Sequence, residues 1–82
     1  MNWLGHVPPH WQCKTDEEAF VCAWQYRLLG GFYATLADAI AKADSGNRAR
    51  LMLAFPVETA AVTRFKTEPG WWPSIDPKRE GK

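Results

Sequence analysis

The chain has 82 residues and a mass of 9.3 kDa, with 46% hydrophobic and 23% charged side chains. That suffices for one domain, and the balance is too apolar for wholesale disorder. A net charge of +1 and a pI near 7.8 argue against a dedicated nucleic-acid module, where pI usually exceeds ~9. The unusual quantity is aromatic: five Trp, two Tyr and four Phe make up 13% of the chain.

The first 14 residues contain Pro8-Pro9 and no hydrophobic period, which predicts an extended arm (residues 1–14). Proline fixes φ and removes donors, so order there must come from docking Trp3, Leu4, Val7 or Trp11 onto the body. A helical domain is expected over residues 15–73. Thr15-Asp16-Glu17-Glu18 fits a capping box and opens a first helix from Asp16 to Leu29. This helix is apolar on most faces, which marks it as central. Gly30-Gly31 is read as its left-handed C-cap.

From Phe32 to Ala43, Tyr33, Leu36, Ala37 and Ile40 recur at three-four spacing, the clearest amphipathic pattern in the chain. Thr35, Asp38 and Lys42 form the polar stripe, with Asp38 and Lys42 in the favourable i,i+4 orientation. Asp44-Ser45-Gly46-Asn47 breaks the pattern. A third helix is expected from Asn47 to Phe55, burying Leu51, Met52 and Phe55 with Arg48 and Arg50 outside. Pro56 suits the first position of a fourth helix running to about Thr67. Its inner face is Val57, Ala61, Val62 and Phe65, while Glu58, Arg64 and Lys66 complement the helix dipole. Glu68-Pro69-Gly70-Trp71 predicts a type II turn that returns Trp71-Trp72 to the body, and Pro73 is expected to end regular structure. Residues 74–82 are polar and predict a flexible tail. The expected fold is all-α, a compact bundle of three to four short helices.

The longest wholly apolar run, Ala19 to Trp24, is far short of the ~20 residues that span a bilayer. No secretory signal is read at the N-terminus, so a cytoplasmic location is expected, with Cys13 and Cys22 as reduced thiols. His6, His10, Cys13 and Cys22 are the residue types of a zinc site, but Cys13 and Cys22 are not a tight pair and Cys22 falls inside the apolar central helix. Free cysteines and surface histidines are the favoured reading, and no metal or cofactor is expected. A Cys13 nucleophile would need a group to orient its histidine and a cation or helix end to lower its pKa, and neither is evident. No catalytic motif is present, so the expected protein is not an enzyme.

Charge is uneven. Residues 1–47 carry three basic and five acidic groups, and residues 48–82 carry seven basic and four acidic. Arg48, Arg50, Arg64 and Lys66 are therefore a candidate patch for phosphate or an acidic protein surface, against the simpler reading of solvated helix faces. The aromatics divide as well. Phe20, Trp24, Tyr33, Phe55 and Phe65 sit at core-facing helical positions. Trp3, Trp11, Trp71 and Trp72 lie outside the predicted helices, where they either staple the arm and tail to the body or form a binding surface.

The residues Ala43-Asp44-Ser45-Gly46-Asn47-Arg48, Leu51, Ala54-Phe55-Pro56, Glu58, Arg64-Phe65 and Glu68-Pro69-Gly70-Trp71-Trp72 resemble a pattern in small helical proteins of phage and prophage origin. The resemblance spans about 30 residues and carries no catalytic motif. It implies a mobile-element accessory protein, a setting in which small proteins bind and block host defence machinery; anti-CRISPR proteins are one such class, similar here in size and setting. The expected function is non-enzymatic binding to a host protein complex, such as a CRISPR-Cas effector, by a monomer or weak homodimer that does not enter a membrane. The contact residues expected are Trp71, Trp72, Arg48, Arg50, Arg64 and Lys66. The alternative is a small nucleic-acid-binding accessory protein using Arg48, Arg50, Arg64 and Lys66.

Overall fold

The structure, a computed structural model, describes residues 2–78. Among them are five α-helices and no strand, so the fold is all-α.

Helix α1 (Asp16–Gln25) begins as its acidic start requires: Thr15 Oγ1 accepts from Glu18 N at 3.1 Å. Glu18 reaches one residue further back than in a standard capping box, accepting from Lys14 N at 3.0 Å. Ala19, Phe20, Val21, Cys22 and Ala23 are all buried, and five consecutive buried positions require cover on every side. The helix ends four residues earlier than predicted, and not on glycine. Arg27 takes the left-handed conformation (φ 60°), with Leu28 N bonded to Ala23 O at 2.8 Å and Arg27 N to Trp24 O at 3.3 Å. Those are the two bonds of a Schellman motif with arginine in the glycine position. Gly30 (φ −67°, ψ 169°) is instead the extended N-cap of the next helix.

Helix α2 (Gly31–Lys42) buries Leu36, Ala37 and Ile40, the stripe its period predicts. Asp38 does not serve Lys42; its carboxylate accepts from Trp24 Nε1 at 3.2 Å and ties α2 to α1. Asp44 caps helix α3 (Ser45–Ala54) by accepting from Asn47 N at 2.8 Å, so Gly46 and Asn47 lie inside its first turn. Helix α3 buries no residue. Leu51 and Phe55 are half-buried against the core, but Met52, expected inside, is 38% exposed. The reason is that α3 packs mainly on α4, so only one narrow stripe is covered.

Helix α4 (Pro56–Thr67) starts on proline, which needs no N–H there. It packs against α1, α2 and α3, and Glu58, Thr59, Ala61 and Val62 are buried. Glu58 was expected to serve the helix dipole. It lies 6% exposed, accepting from Trp3 Nε1 at 2.7 Å.

Among the described residues, the arm and the start of the tail carry more structure than predicted. The arm holds two short 3-10 helices, Trp3–His6 and Pro9–Trp11. Trp3 is 3% exposed and meets Phe20 and Tyr33 edge-on at 4.7 and 4.8 Å between ring centroids. Leu4 N donates to Asp16 Oδ1 at 3.0 Å, joining arm to α1. The turn after α4 is closed by Trp71 N donating to Glu68 O at 2.9 Å. Gly70 has φ −82° and ψ −10°, which is type I geometry and not the predicted type II. Helix α5 (Trp71–Ile75) then continues through Pro73, whose position in the first turn has no intrahelical donor to lose. The expected flexible tail is therefore packed over its first part. Ile75 lies on the core, Pro77 is buried, and Tyr26 donates to Asp76 Oδ1 at 2.6 Å. The rest of that expectation, residues 79–82, lies outside the described residues.

Candidate partner-binding surface

The predicted contact residues do not form one patch. Trp71 is buried, and the Arg64 guanidinium covers its ring at 4.4 Å. Arg64 Nε also meets Glu68 at 3.0 Å, and its Nη1 meets Glu17 at 3.7 Å. The Glu68 hydrogen bond, more than Glu17, pushes the guanidinium pKa up. Arg64 is thus held in a local network linking α1, α4 and α5, with its charge already answered. Trp72 is half-buried, 6.0 Å from Phe65 and 6.2 Å from Tyr26.

Trp11 and Trp24 are half-buried too, Trp11 against Tyr26 at 5.4 Å and Trp24 against Phe65 at 5.2 Å. The five tryptophans therefore staple, and none is among the exposed large apolar side chains. The acidic run Asp16-Glu17-Glu18 is similarly spent inside the molecule, on Leu4 N, Arg64 and Lys14 N.

The remaining cations lie around α3. Arg48 donates to Ala43 O at 3.1 Å, and Lys66 reaches Ala41 O, so both cover the last carbonyls of α2. Together they line a pocket of about 200 Å³. Arg50 is elsewhere, bonded to Asn47 Oδ1 at 3.1 Å. With Lys42 it borders an open groove of about 360 Å³ between α2 and α3, floored by Ala39, Ala43 and Leu51.

The large exposed apolar side chains are not the tryptophans. Leu53 is 88% exposed and Phe32 is 64% exposed. A ring contact of 6.1 Å between Phe32 and Phe55 brings the start of α2 beside the end of α3. Leu53 follows Arg50 by one helical turn, on the same face. Its exposure could have been found: two positions from Leu51 is about 200° around a helix, so both cannot face the core.

The two thiols lie beside each other without a disulfide between them, with Cys22 Sγ donating to Ile75 O at 3.7 Å. Burial is the main cause that pushes both thiol pKa values up. An activated cysteine needs the opposite shift. His6 is turned away, its Nδ1 2.8 Å from Asn2 O and its ring on Trp3. Among the described residues no three His, Cys, Asp or Glu side chains converge as metal ligands. No helix among them is long and apolar enough to cross a membrane. Comparison with protein families, curated proteins and solved structures gave no significant match.

Proposed function

We propose that the chain is a non-enzymatic binding protein that engages an acidic protein surface through the α2–α3 face. The single observation that carries this reading is α3 itself. It buries no residue, presents Leu53 at 88% exposure, and stands beside an apolar groove rimmed by Lys42 and Arg50. Exposed apolar area of this kind marks interfaces more often than isolated surface leucines do. The cationic rim favours a partner carrying carboxylates around an apolar segment.

The reading keeps the class implied by the phage-protein resemblance, a cytoplasmic accessory protein that blocks a host complex such as a CRISPR-Cas effector. It moves the contacts from Trp71 and Arg64 to Leu53, Arg50 and their neighbours. The test is affinity capture from a bacterial lysate with the wild-type chain and the surface variants Leu53→Glu and Arg50→Glu, each first shown by circular dichroism to be folded. A stoichiometric protein that is captured by wild type and lost with both variants supports the proposal. Equal capture by the variants, or salt-sensitive retention of DNA in place of protein, overturns it.

A further inference from the structure

The geometry points to a binding site for a small phosphate-class oxyanion in the pocket between the C-terminal ends of α2 and α4. This inference is independent of the α2–α3 docking face. Arg48, Lys66, Thr63, Thr67 and Ile40 line the pocket.

Its donors are only partly used. A guanidinium has five N–H donors and an ammonium three, yet Arg48 uses one on Ala43 O and Lys66 one on Ala41 O. Neither meets a carboxylate; the ion pairs among the described residues both belong to Arg64. Thr67 Oγ1 donates to Thr63 O at 2.8 Å, whereas Thr63 Oγ1 is buried with no partner at all. A buried hydroxyl without a hydrogen bond costs about 1–3 kcal/mol, so it needs a reason to persist. Threonine in a helix populates two rotamers, and one change of χ1 exchanges its hydroxyl and methyl positions.

The electrostatics favour an anion despite two helix C-termini. Each terminus contributes about −0.5 charge, together roughly −1, against two full positive charges. Size narrows the class. At about 200 Å³ the pocket is below the ~300–1,000 Å³ of drug-sized ligand sites, while a tetrahedral oxyanion fits with room for water. Arginine's fork suits two oxygens of such a group, and lysine supplies a point charge.

The test is a titration of the full chain with inorganic phosphate, exchanged against chloride at constant ionic strength and followed by NMR chemical shifts. Saturable shifts are expected at Thr63, Lys66 and Arg48, with a dissociation constant of about 1 mM. Arg48→Gln and Lys66→Gln should each weaken binding about ten-fold or more, the value of a charge-assisted hydrogen bond. Thr63→Val should weaken it several-fold without lowering the melting temperature in chloride, which separates a ligand contact from a structural role. Shifts that stay linear with concentration, or that are unchanged in Arg48→Gln and Lys66→Gln, would overturn the proposal.

Discussion

The two sides of α4 are built on different terms. On one side α1, the arm and α5 close over the core, and several polar groups there are bonded to one another. Trp3 and Glu58 bond to each other, the three consecutive carboxylates of α1 are each occupied, and Arg64 spans Glu17, Glu68 and the Trp71 ring. On the other side α3 lies along α4, buries no residue, and leaves two cations and a run of apolar side chains facing out. A small domain has little apolar area to spend. Here it is concentrated on one face, which leaves the other with more exposed side chains.

This contrast can be broken by substitution. The largest effect is expected on the closed side. Trp3→Ala removes a buried indole and leaves the Glu58 carboxylate buried without its donor, and should cost about 3–5 kcal/mol in denaturant unfolding. That is a large fraction of the 5–15 kcal/mol typical of a domain. A loss below about 1 kcal/mol would show that the arm does not hold the core.

Two further changes sharpen the picture by stabilising. Thr59 is fully buried and its Oγ1 has no partner, so Thr59→Val should raise stability by about 1 kcal/mol, read as an upward shift in melting temperature. A drop would mean that the hydroxyl is satisfied in solution. Arg27 holds φ at 60°, a conformation that costs a side-chain-bearing residue about 1–2 kcal/mol. Since glycine also gains freedom in the unfolded chain, Arg27→Gly should return a net ~0.5–1 kcal/mol.

The smallest change is expected on the open side. Leu53→Glu keeps a good helix former at an exposed position, and its unfolding midpoint should stay within ~0.5 kcal/mol of wild type. Strong destabilisation would place Leu53 in the fold's own packing and remove the main support for the docking face.

Local signals were legible where the chemistry is local. Thr15 before three acids, Asp44 before α3 and proline at position 56 announce helix starts because each satisfies or avoids an orphan donor within one turn. The α2 stripe could be read because three-four spacing permits one buried face. The α1 stop is not legible because glycine is the usual left-handed residue, and Gly30-Gly31 stands three positions beyond the arginine that adopts it. The candidate site was legible only in part. Arg48 and Lys66 do share a pocket, but Arg64 and Trp71, close to them in sequence, point to the opposite side of α4.

Composition and pattern alone pointed to an all-α fold with an apolar first helix, because helix punctuation and periodicity depend on neighbours a few residues apart. Which aromatics staple and which apolar groups remain outside was decided by tertiary structure. Trp3 is buried where Glu58, 55 positions away in sequence, accepts a hydrogen bond from its indole N–H, and Met52 is exposed because α3 packs mainly on α4. Those outcomes depend on how many sides of each helix find a partner, a quantity that no local run of residues contains.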